Sequence, residues 1–150
     1  MYRKNTAKAV RFIAFLLVFA LSFPVYANAA AAEPIQTRAS AYLDNYGAYV
    51  YLPGNGEVQV YFNVTGTDDM DELGALSIKI YESKDGTNWT WKKTFTYDST
   101  AGMLSYNDDY HSGHVTYNGV RGRYYKAYVC IWGGKDGKGD TRYFWTPSNH

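Results

Sequence analysis

The chain has 150 residues, with 15 Lys+Arg against 14 Asp+Glu, 18% aromatic residues and one cysteine. This near-neutral balance leaves no electrostatic footprint for nucleic acid or an anionic membrane surface. A single cysteine excludes an internal disulfide, so one domain of this length must rest on its hydrophobic core.

Residues 1–29 read as a secretory signal peptide. Arg3, Lys4, Lys8 and Arg11 form a basic leader, an apolar run covers 12–21, and Pro24 precedes the small-residue tract Ala27-Asn28-Ala29-Ala30-Ala31-Ala32. A basic region, a short apolar core and a small-residue cleavage site make up an export signal. The apolar run, at about ten residues, is too short to cross a bilayer core of about 30 Å as a helix. Cleavage is expected after Ala29, with Ala31 or Ala32 as alternatives. It would release a secreted, extracellular chain with no integral membrane association. The leader takes four basic and no acidic residues with it, so residues 30–150 carry a net charge of −3.

Residues 30–41, Ala-rich with Pro34, read as a flexible lead-in. The domain is expected over 42–150. No segment there sustains a helical period, and Tyr, Val, Ile, Thr and Trp dominate. Tyr46–Leu52 reads as a strand, and Pro53-Gly54-Asn55-Gly56 is turn chemistry. Glu57–Thr65 alternates cleanly, Val58, Val60, Phe62 and Val64 on one face and Gln59, Tyr61 and Asn63 on the other. That pattern marks a half-buried strand, paired with the first as a hairpin.

Gly66–Gly74 reads as an acidic loop. In the third strand, Ala75–Glu82, Leu76, Ile78 and Ile80 are expected inward and Ser77, Lys79 and Tyr81 outward. Ser83-Lys84-Asp85-Gly86-Thr87-Asn88 reads as a turn in which Asp bonds nearby backbone and Gly takes positive φ. Trp89–Tyr97 is the fourth strand, and Asp98–Tyr110 a long connection suited to crossing between sheets. His111–Asn118 and Arg123–Trp132 are further strands. Gly133–Asp140 reads as a glycine-rich loop before a last strand over 141–146.

Seven strands at spacings of about eight to twelve residues predict an all-β fold, a single antiparallel β-sandwich of fibronectin III or immunoglobulin-like type. Gly122-Arg123-Tyr124-Tyr125-Lys126-Ala127-Tyr128-Val129 resembles the sixth strand of such domains. There a Tyr hydroxyl bonds back to the preceding corner. Tyr125, in phase with Ala127, Val129 and Ile131, fits that role best, with Tyr124 the alternative. The immunoglobulin cysteine pair is missing, so the fibronectin-like variant is the closer analogy.

The same phase turns Tyr124, Lys126, Tyr128, Cys130 and Trp132 outward. In a fibronectin-like order the third, sixth and seventh strands share a sheet, so Tyr81 and Tyr143 or Trp145 would join them. Tyr81, Tyr124, Tyr128, Trp132, Tyr143 and Trp145 are therefore the candidate ligand-binding residues. Tyr and Trp rings suit sugars and protein interfaces, although single exposed aromatics need no function.

His111 and His114, beside Asp108 and Asp109, are the weak candidates for a metal site or for a small metal-dependent enzyme. On one strand they would face opposite sides, and only a turn at Ser112-Gly113 would unite them. The acidic loop Asp68-Asp69-Met70-Asp71-Glu72 lacks the spacing of a calcium loop. Cys130 reads as an ordinary strand residue, with pairing between chains as the alternative. Asn63-Val64-Thr65 and Asn88-Trp89-Thr90 fit the glycosylation pattern, which matters only in a eukaryotic host. No nucleophile elbow, zinc-helix or phosphate-loop signature occurs. No catalysis and no cofactor is expected.

Four stretches, Gly74-Ala75-Leu76-Ser77-Ile78, Tyr110-His111-Ser112-Gly113-His114-Val115, residues 122–129 and Gly139-Asp140-Thr141-Arg142-Tyr143, carry a wider likeness. Through them the chain resembles a family of small secreted Gram-positive bacterial proteins of unknown function. That resemblance implies a secreted one-domain protein and no particular activity. Ser105-Tyr106-Asn107, Tyr110-His111, His114-Val115-Thr116, Lys126-Ala127-Tyr128-Val129 and Tyr143-Phe144-Trp145 also resemble the C-terminal half of the lactococcin nine-seventy-two type of bacteriocin. This implies, as an alternative, a secreted sandwich acting on the cell wall of other bacteria. The expected function is that of a non-catalytic module binding a glycan or protein at a cell surface.

Overall fold

A computed structural model describes residues 40–150. The signal-peptide expectation and nearly all of the lead-in lie outside the described residues. Eight strands follow one another: β1 (Leu43–Gly54), β2 (Glu57–Met70), β3 (Glu72–Ser83), β4 (Trp89–Thr96), β5 (Leu104–Ser105), β6 (Asp108–Asn118), β7 (Tyr124–Lys135) and β8 (Lys138–Trp145). They form two antiparallel sheets. One is ordered β1-β2-β6, and the other β4-β3-β7-β8 with β5 on β3. The third, sixth and seventh expected strands thus share a sheet, and the fourth pairs with the third, as the fibronectin-like order requires.

Alternation explains how the sheets close on each other. Val58, Val60, Phe62 and Val64 of β2 are all buried, as are Ala127, Val129 and Ile131 of β7. They join Ile78, Ile80 and Val115 in one core between the sheets. Each large aliphatic removed from water contributes about 1.5–3 kcal/mol, which replaces the disulfide that this chain cannot make.

Local chemistry sets the turns. Asn55 and Gly56 both have positive φ and join β1 to β2 as a two-residue hairpin, the turn whose twist matches paired strands. Asp85 organises the β3–β4 turn. Its carboxylate accepts from the Thr87 and Asn88 backbone N–H groups at 2.9 and 2.8 Å and from the Asn88 side chain at 2.7 Å. These donors hold the Asp85 carboxyl far below the usual carboxylate range.

Several expectations need correction. β1 begins at Leu43 rather than Tyr46, because the Ser40 hydroxyl accepts from the Leu43 N–H at 2.9 Å and itself bonds Asp140. Ser40 is therefore tied to the start of β1 and to β8. The acidic segment is not an open loop, since β2 runs to Met70 and β3 starts at Glu72. Buried Met70 pulls it inward, and Asp68 pairs with Lys135 at 2.6 Å while Asp71 accepts from the Asp136 N–H at 2.7 Å.

Leu76 is half-buried rather than in the core. A bulge between Ala75 and Ser77 carries the inward phase from Leu73 and Ala75 over to Ile78 and Ile80. The glycine-rich stretch is also strand, closed by a two-residue hairpin at Asp136-Gly137, both at positive φ. The connection after β4 does cross between sheets. It is pinned by buried Met103 and by two β5 residues paired to β3.

Candidate functional site

The outer face of the five-stranded sheet is built by cross-strand register. Lys79 lies opposite Tyr128, which lies opposite Trp145. One row along, Trp91 lies opposite Tyr81, and Tyr81 opposite Lys126. Side chains on alternate positions of paired strands therefore meet on one surface.

Four expected residues come together there. Tyr81 packs edge-on to Trp145 at 5.0 Å, Tyr128 meets Trp145 at 4.9 Å, and Tyr128 stacks on Tyr143 at 6.1 Å. Tyr143 and Trp145 remain 61% and 47% exposed. The other two expected residues lie apart. Tyr124 stacks on His150 at 4.2 Å. Trp132 donates to Glu72 at 3.2 Å at the far end of the sheet. A Cβ on Gly134 would stand 2.6 Å from the Trp132 ring, so the glycines beside it make room for a ring that seals the hairpin.

Reading β3, β7 and β8 alone missed Trp89, Trp91 and the part played by Lys126. The Lys126 ammonium lies 4.4 Å from the ring centroids of both Trp89 and Trp145. A cation between two ring faces is held by both quadrupoles. The available signal was the outward phase of Lys126 together with the Trp-x-Trp of the fourth strand.

Cys130 lies on this same outward phase yet is 5% exposed. Burial pushes its thiol pKa up, which keeps it protonated and unreactive. Its burial disfavours pairing between chains.

The metal candidates separate. β6 is continuous through Ser112 and Gly113, so the turn that would unite the two histidines does not form. His111 faces inward opposite Val64, bonds the Gly102 carbonyl at 2.9 Å and packs 5.6 Å from Phe62. His114 faces outward and stacks on Tyr61. Asp108 and Asp109 are exposed at the strand start. Among the described residues no group of three or more His, Cys, Asp or Glu is placed to hold a metal ion.

The comparisons with known proteins add little. No family model matches the chain, and no curated protein matches its sequence. Among solved structures it is similar to the sporulation control protein Spo0M from Bacillus subtilis, at 13% identity and a TM-score of 0.39, over 68% of this chain and 47% of that one. The chain thus spans about half the length of Spo0M. A protein from Archaeoglobus fulgidus is similar at 6% identity and a TM-score of 0.31, over 71% of this chain and 94% of that one. Neither likeness extends to the detail of the fold or to function.

Proposed function

We propose that this protein is a secreted, non-catalytic binding module that works at a cell surface or in the medium through the outer face of its five-stranded sheet. The observation that carries the reading is the contiguous cluster of Tyr81, Tyr128, Tyr143 and Trp145 beside the clamped Lys126. Such rings contribute large contact area at low entropic cost and are enriched at binding hot spots.

The relief of the cluster favours a protein surface over a sugar. Trp145 meets Tyr81 edge-on and Tyr128 at a tilt and turns its face toward Lys126, and Tyr128 stacks on Tyr143. Edges and hydroxyls are left for a shaped partner. Lys79 and Lys126 beside the rings suit a partner with acidic groups.

The test is capture of partners by the purified chain from intact cells, isolated cell wall and a glycan array. Saturable binding to a surface protein, competed by free chain, supports the reading. Saturable binding to glycan alone through this face would replace protein with sugar as the ligand. Binding to none of the three would remove the functional reading of the cluster.

A further inference from the structure

The outer face of the three-stranded sheet carries a second feature on the other side of the sandwich. Across β1, β2 and β6 the rings of Tyr49, Tyr61 and His114 stand in one cross-strand row. Tyr49 and Tyr61 stack at 5.2 Å with planes 9° apart, and Tyr61 and His114 at 5.0 Å and 25°. The next outward row is Gly47, Asn63 and Ser112, and Tyr110 stands in the row beyond, opposite Thr65. Ring ladder, small polar floor and Tyr110 bound an open trough of about 570 Å³.

Two observations say what the trough is for. Gly47 has no conformational reason to be glycine, because it is not among the residues with positive φ. The pairing from Asn45 through Tyr51 is regular, so no bulge explains it either. An added Cβ would meet only the Asn63 side-chain oxygen, at 3.3 Å. Glycine weakens a strand interior, and where neither bulge nor bend requires it, it marks a place where something approaches the backbone closely.

The second observation is charge. No Lys, Arg, Asp or Glu lines the trough, and its one histidine, His114, is stacked on Tyr61, so a charged ligand would lose hydration without gaining a fixed counter-charge. What the trough offers is an amide and a hydroxyl, each able to donate and accept, between walls of aromatic carbon. Among the described residues neither the Asn63 amide nor the Ser112 hydroxyl is taken up by a protein hydrogen bond, in contrast to Tyr61, which donates to Gln59 at 2.8 Å.

We propose that this trough is a carbohydrate-binding site for a neutral glycan chain. Pyranose rings carry apolar C–H groups among hydroxyls, which match the aromatic carbon presented by the ladder's ring edges and Tyr110 together with the polar floor. The floor crosses three strands, a length of about 10 Å at the usual strand spacing, which suits a short oligosaccharide.

The test is calorimetric titration of the purified full chain with cellohexaose, maltohexaose and a hexamer of N-acetylglucosamine, with oligogalacturonate as the acidic control. At least one neutral probe should bind saturably and the acidic one should not. Gly47→Val fills the floor with a residue that strands favour, and should weaken binding about tenfold or more at an unchanged unfolding temperature. If it lowers that temperature, Tyr110→Ala, at an exposed position, decides instead and should weaken binding comparably. The double variant Tyr81→Ala/Tyr128→Ala, on the opposite sheet, should bind the sugar like wild type, which separates this site from the proposed partner face. The proposal is overturned if no neutral probe binds, if the acidic probe binds equally, if the deciding trough variant binds undiminished, or if the opposite-sheet variant loses the sugar.

Discussion

The Tyr125 hydroxyl accepts from the Val120 N–H at 2.6 Å and donates to the Glu82 carboxylate at 2.7 Å, tying the corner before β7 to β3. Tyr125→Phe keeps the ring but removes the hydroxyl from the Val120 N–H and from Glu82, which retains only its ion pair with Lys92, and should cost about 1–3 kcal/mol in denaturant unfolding. Burial pushes the Tyr125 pKa up to about 12, reinforced by the charge of Glu82 and opposed by the Val120 N–H. The unfolded chain releases this proton near pH 10, while the folded one retains it. The stabilisation is therefore complete below about pH 10 and is lost as pH rises toward 12. Unfolding curves across that window should steepen in pH dependence for wild type relative to Tyr125→Phe. Cys130 yields a second expectation. Its buried, protonated thiol should react with a thiol reagent orders of magnitude more slowly in the native protein than in denaturant. Rapid native labelling, or a reducible dimer, would contradict its placement under the outer aromatic face.

Hairpins and alternation were the elements most legible in the sequence. The Val58–Val64 alternation and the Asn55-Gly56 and Asp85-Gly86 turns stand as read, because each depends on residues close along the chain. Tyr125 was legible for the same reason, its phase shared with Ala127, Val129 and Ile131. What the sequence hid is set between strands. The bulge at Leu76 appears only in the register against β7. The acidic and glycine-rich stretches looked like loops because their composition is polar or small, yet each is strand held by the other through Asp68–Lys135 and Asp71–Asp136. Trp132 shares the outward phase of the cluster, but strand phase alone does not show that Gly134 and Gly139 lie under its ring. Trp89 and Trp91 joined the cluster only when β4 was placed on β3. At the β7–β8 hairpin, Gly137→Ala forces an L side chain into φ 71°. It should cost about 1–2 kcal/mol, measurable as a lowered urea midpoint with unchanged slope.

The described residues form two sheets around one apolar core, and none of their elements is a helix long and apolar enough to cross a membrane. The two outer faces differ in chemistry: one is a relief of interlocked rings with lysines, the other a neutral trough behind a ladder of parallel rings. The export signal read in residues 1–29 makes its own prediction. N-terminal sequencing of protein recovered from the medium of an expressing bacterium should begin at Ala30, with Ala32 or Glu33 as the alternatives, and recovery of the intact leader only inside cells would contradict export. The proposed role as a binding module is tested most directly by measuring the affinity of wild type and of Tyr81→Ala/Tyr128→Ala for the captured surface partner, with unfolding temperature read alongside. Both rings are only half-buried on the outer face, so the double variant should stay folded and bind at least about a hundredfold more weakly, as loss of two hot-spot aromatics implies. A folded double variant that binds the partner as tightly as wild type would contradict it.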